Sequence, residues 1–141
     1  MNPHLVLKTV SKALIPLIAL FALYVQFHGD FGPGGGFQAG VIMAAAVILY
    51  ALVYGLQEAK RAVPPIVVRF GASLGALLFA GVGVATLFLG GDYLDYDVLP
   101  GGQHAGIILV ELGVLLTVAS VMVIIFYAFS GRARDISDEE W

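Results

Sequence analysis

The sequence predicts an all-α integral membrane protein, a four-helix bundle with its N- and C-termini in the cytoplasm, and three observations carry that prediction. Sixty per cent of the 141 residues are apolar and 12 per cent are charged, a balance far from that of a soluble domain. The apolar residues form four runs, each near the roughly 17–25 residues that a helix needs to cross a bilayer. All seven Lys and Arg residues fall before the first run, around the break between the second and third, or after the fourth, and short loops rich in these residues stay on the cytoplasmic side.

The first span is expected over about residues 12–27. Lys8 and Lys12 ahead of it have the look of a secretory signal, but residues 23–28 (LYVQFH) lack the small residues of a cleavage site, and three further apolar runs follow. Pro16 stands in or just after the opening turn, where proline is tolerated; deeper in a helix it removes a hydrogen bond and kinks the rod. The second span covers about residues 37–56 and the third about 66–89, with Lys60, Arg61 and Arg69 in or beside the loop between them. The fourth covers about residues 105–129, followed by Arg132 and Arg134. The two remaining loops hold Asp30 and then Asp92, Asp95 and Asp97, so they face outward. Residues 1–130 are thus expected to form one membrane domain, with residues 131–141 as a polar cytoplasmic tail, acidic towards its end.

Small residues should mark the helix contacts, because apolar surface gains little by leaving lipid for protein and close backbone approach has to supply the attraction. Span two carries Gly36, Gly40 and Ala44 at four-residue intervals, and span three carries Gly71 and Gly75. In span four Gly106, Gly113, Thr117 and Ser120 share a narrow arc at about 100° per residue. Three such stripes predict a tight bundle.

The segment joining spans one and two, HGDFGPGGGFQAG over residues 28–40, reads as a fixed non-helical turn. Pro33 disfavours helix at the residue before it, and Gly34, Gly35 and Gly36 allow positive φ and close backbone approach. Phe37 and Gln38 then open the second span. The turn packs against its neighbours or borders an ion path. It is no phosphate loop, since the Lys-Ser/Thr ending is absent. An echo stands before the fourth span, where residues 100–108 (PGGQHAGII) parallel residues 33–42 (PGGGFQAGVI) with one residue fewer. A true repeat would make the chain two parallel helix hairpins about a pseudo-twofold along the membrane normal.

Glu111 is the one acidic or basic residue well inside a span, and an ionisable group at that depth is costly enough to mark a functional site by default. It lies about 140° round the helix from the small-residue stripe. If the stripe faces the interior, Glu111 points out of the bundle, towards another subunit rather than lipid. His104 falls on nearly the same side, roughly 10 Å further up the axis, where a titratable imidazole above a carboxyl could relay protons or cations. The alternative is an interfacial His104 and a Glu111 that bonds neighbouring backbone. The absence of cysteine excludes disulfides, thiolate metal sites and cysteine nucleophiles, and His4 and His28 have no partner at metal-ligand spacing. A net charge of −3 without any basic patch argues against nucleic acid. Four spans leave little chain for an extramembrane enzyme, so no catalytic residue, soluble substrate or cofactor is expected.

With HGDFGPGGGFQAG at residues 28–40 and AGIILVELGV at residues 105–114, its Glu inside the fourth span, the whole chain resembles the B subunit of Mrp-type multisubunit cation/proton antiporters. The resemblance implies a small multi-pass subunit in a prokaryotic plasma membrane, within a complex that exchanges Na+ or another monovalent cation for H+. It implies other membrane subunits as partners and kinship with the membrane modules of hydrogenases and respiratory NADH:quinone oxidoreductases. Larger subunits of such complexes hold the lysine-rich proton channels, and no Lys lies inside a span here, so this chain looks like a supporting or cation-path subunit. The matching positions are Pro33, Gly34, Gly35, Gly36, Phe37, Gln38, Gly40, Gly106, Glu111 and Gly113. The other readings are a scaffold that clamps neighbours through the glycine turn and never meets an ion, and the equivalent subunit of an ion-pumping hydrogenase or complex-I-like assembly.

Overall fold

The computed structural model describes residues 4–28 and 35–132. Five α-helices follow one another: α1 (Leu5–His28), α2 (Gly36–Tyr54), α3 (Leu56–Ala62), α4 (Pro65–Phe88) and α5 (Gly102–Ser130), with a single 3-10 turn at Tyr96–Val98 before α5. Four of them, all but α3, are long and apolar enough to cross a membrane. No strand occurs among the described residues.

The long helices differ from the expected spans mainly at their ends. Helix α1 starts at Leu5, seven residues before the expected boundary at 12, so Pro16 stands in its interior and not in its opening turn. Lys8 and Lys12 mark the edge of the apolar stretch, but lysine is a good helix former and the rod continues past both. The Thr9 hydroxyl, which donates to the Leu5 carbonyl at 2.8 Å, belongs to this extra length. Helix α5 starts at Gly102, three residues early, because Gly101 at φ 95° turns the chain there.

Two connections have more structure than the sequence foretold. Gly55 at φ 98° ends α2 and starts the short helix α3, whose exposed Arg61–Glu58 pair at 2.8 Å adds little to stability. Between α4 and α5, Gly90 and Leu94 adopt positive φ, and the Leu94 amide donates to the buried Thr86 hydroxyl at 2.9 Å. The Tyr93 ring lies so close over Gly83 that any Cβ there would overlap it.

Helix α5 is the centre of the bundle. It packs along α4 on one side and α2 on the other, and α1 packs along α2 and touches α5 lightly; α2 and α4 meet through side chains, Ala44 and Val68 sharing one buried cluster with Val123 and Tyr127 of α5. Gly71 meets Ser120, and Gly75 meets Thr117 and Gly113, so α4 runs antiparallel to α5; Gly36 meets Glu111 and Val114, and Gly40 meets Leu115 and Val118, so α2 runs parallel to it. Gly106, aligned with that stripe in sequence, meets the Tyr96 ring and Leu99 of the preceding loop instead of a helix.

The Tyr54 hydroxyl donates to the Lys8 carbonyl at 3.2 Å, fixing α1 antiparallel to α2. The buried Tyr127 hydroxyl shares its proton between the carbonyls of Ala59 at 3.1 Å and Val63 at 3.0 Å, which ties the middle and the C-terminal end of α3 to α5. Lys8, Lys12, Lys60, Arg61, Arg69 and Arg132 therefore gather towards one end of the bundle, and Asp92, Asp95 and Asp97 stand at the other.

Candidate functional site

The polar centre of the bundle forms where α2 begins. Gly35 caps that helix at φ 144° without a side-chain cap, and the first amide to reach an intrahelical acceptor is that of Ala39, which donates to the Gly35 carbonyl at 3.0 Å. The amides of Gly36, Phe37 and Gln38 consequently have no acceptor within α2, and this helix end carries partial positive charge.

Glu111 faces that end. Its Oε1 lies 3.4 Å from where a Cβ on Gly35 would stand, and a Cβ on Gly36 would overlap its backbone carbonyl. The expectation that Glu111 points out of the bundle is corrected here. The reasoning that one face of α5 cannot both pack the glycine stripe and present the carboxyl still holds. What it missed is that α5 is central, with the stripe turned to α4 and the Glu111 face turned to α2. A carboxylate at a helix N-terminus gains about 0.3–1 kcal/mol at exposed sites and up to ~2 kcal/mol when partly buried, and Glu111 is half-buried. The Gln38 Oε1 also lies 3.4 Å from the Gly35 Cβ position, so two side-chain oxygens converge on this helix start.

A third polar group shares the level. Gln26 lies eighteen residues after Lys8, and Gly36 lies eighteen before Tyr54. The antiparallel register set by Tyr54 and Lys8 therefore brings Gln26 level with Gly36, since both helices rise about 1.5 Å per residue. Gln26 is only 2% exposed, and among the described residues its Oε1 accepts no hydrogen bond. A buried amide oxygen left that way costs about 1–3 kcal/mol. Sequence reasoning passed over Gln26, although the rule that singled out Glu111, a polar group within an apolar run, applied equally to it.

The other predicted site residues scatter. His104 is exposed in the first turn of α5, seven residues or roughly 10 Å above Glu111 on the same side. Phe37 projects from the bundle at 62% exposure, and Gln38 is exposed as well. Gly40 is buried against Val118 and Leu115. Pro33 and Gly34 lie outside the described residues, as do Asp30 and most of the C-terminal tail. Among the described residues no three His, Asp or Glu side chains gather to hold a metal ion.

Four bilayer-length helices with a sparse polar layer at one internal helix start define a polytopic membrane protein whose interior chemistry is confined to a few oxygens and amides. Residues 6–124 match the family described as a domain related to the MnhB subunit of Na+/H+ antiporter, and the chain belongs to that family. Its relatives include proteins of Staphylococcus haemolyticus (strain JCSC1435) and Staphylococcus aureus (strain Newman), both named as antiporter subunit mnhB2. Each is 35% identical over 133 residues, covering 89% of this chain and 94% of the relative.

Proposed function

We propose that this chain is a small multi-pass subunit of a multisubunit Na+/H+ antiporter in a bacterial plasma membrane, and that Glu111 borders the route taken by the cation or the proton. Membership of the family and the names of the relatives support the first part. The second rests on one observation, a carboxyl group at the amide end of α2, and the helix register sets the buried Gln26 oxygen near that level. His104 lies above it and would pass ions or protons between the outer surface and this layer. The chain has no catalytic role and needs no cofactor, Na+ and H+ being cargo. Its partners are the other membrane subunits of the complex and the surrounding lipid. The cationic end of the bundle faces the cytoplasm, since short loops rich in Lys and Arg stay there.

Glu111→Gln in the assembled complex tests the reading. Everted vesicles should show Na+-dependent collapse of the pH gradient slowed at least tenfold, with the subunit recovered in the complex at wild-type level. Full transport with full assembly would leave the chain a scaffold.

A further inference from the structure

A second polar site lies at the opposite end of the bundle. Lys60, Pro65, Arg69, Ile124, Tyr127 and Ala128 enclose a cavity of about 220 Å³ between α3, α4 and α5. Two of its six lining residues are cations and none is an anion. The nearest acidic residue in sequence, Glu58, is engaged by Arg61 at 2.8 Å, and among the described residues no carboxylate pairs with Lys60 or Arg69. The Lys60 ammonium is held 5.8 Å from the centroid of the Tyr127 ring. That ring is itself fixed, because its hydroxyl is committed to the Ala59 and Val63 carbonyls. One cation is thus pre-positioned over an aromatic face, and Arg69 lines the same cavity from the second turn of α4.

The rest of the lining, Pro65, Ile124 and Ala128, is apolar. A free inorganic anion would satisfy the cations and leave this surface uncovered. A ligand with an anionic head and a hydrocarbon continuation covers both. The site also sits where the membrane-crossing helices end, α2 at Tyr54 and α5 at Ser130, the depth of lipid headgroups for helices of this length. Basic pockets between transmembrane helices at the cytoplasmic interface are suited to anionic headgroups. We propose that this cavity binds the phosphate of an anionic phospholipid, with Lys60 and Arg69 as its ligands and the Ile124–Ala128 side of α5 against the first methylenes of the chains.

The test uses the assembled complex in detergent, supplied with phosphatidylglycerol or with phosphatidylcholine, and counts retained lipid by native mass spectrometry. Three forms are compared: wild type, Lys60→Gln/Arg69→Gln, and Ile124→Trp, which fills the floor and leaves both cations in place. Wild type should keep one more phosphatidylglycerol per complex than either variant, with no such difference for phosphatidylcholine. Inorganic phosphate at equal concentration should not displace that lipid. Equal retention by all three forms would overturn the proposal. Loss in the charge variant alone would also overturn it, by reducing the effect to diffuse attraction, and so would displacement by inorganic phosphate. Retention that rises above one per complex only when residues 133–141 are removed would give the cavity to the chain's own acidic end and overturn it likewise. Should either variant fail to assemble, a milder change of the same group, Lys60→Gln alone or Ile124→Phe, takes its place in the comparison.

Discussion

Helices α2 and α5 run parallel and open on matching dipeptides, Gly35-Gly36 and Gly101-Gly102, each with a first glycine at positive φ. Their surroundings are opposite. Gly36 is walled in by the Glu111 backbone and the Val114 side chain, whereas nothing lies within 4 Å of a Cβ placed on Gly102. The start of α2 faces the middle of a neighbouring helix, nine residues beyond Gly102, or roughly 14 Å along the axis; the start of α5 opens to the surface. Similar turn chemistry has produced one enclosed helix end, able to act on a carboxyl group, and one that only begins a helix.

Gly36→Ala should break the comparison most sharply. The new methyl would meet backbone, which cannot rotate away, so α2 must separate from α5 at a cost of about 3 kcal/mol or more. Recovery of the subunit in the complex should fall severely, and normal recovery would mean that the two starts are equivalent. Gly75→Ala should cost about 2–3 kcal/mol, because its Cβ would stand 2.6 Å from the Gly113 carbonyl and 2.7 Å from the Thr117 amide. A thermal-stability measurement on the purified complex should rank it just behind Gly36→Ala.

Gly102→Ala should cost only the backbone penalty of φ 72°, about 1–2 kcal/mol, with transport intact. The fourth test sharpens the contrast. Gln26→Leu removes a buried oxygen that accepts no bond among the described residues, so stability should hold or rise by about 1 kcal/mol. Na+-dependent collapse of the pH gradient should nevertheless slow several-fold if that oxygen serves the polar layer beside α2. Unchanged transport would confine the layer to Glu111 and Gln38.

What the sequence disclosed about this bundle divides along the same line. Apolar run length located four helices, since hydrocarbon sets their minimum span, and the charge pattern separated their ends. The fault at α1 arose from equating the membrane edge with the helix edge at Lys8 and Lys12. Helix α3 was too short for its periodicity to register between Gly55 and Pro64. The glycine stripe of α5 identified one packed face, but no rule of spacing could reveal that its opposite face also packs, because that depends on which helix occupies the centre. Glu111 was therefore recognised as a site while its neighbour was sought in another chain. Gln26 was legible as a polar residue within an apolar run; what only the packed structure displays is the bond its oxygen lacks among the described residues.

The central place of α5 has a consequence for biogenesis. Because α4 makes its extensive helix contacts with α5, the three earlier membrane helices cannot complete the bundle before α5 is made, and the α2 start lacks its Glu111 wall until then. Closure awaits the last helix made, which must slot between two that are already in lipid. A chain cut before Gly102 would lack both the Glu111 wall over Gly36 and the partner of the Gly71–Gly75 face of α4.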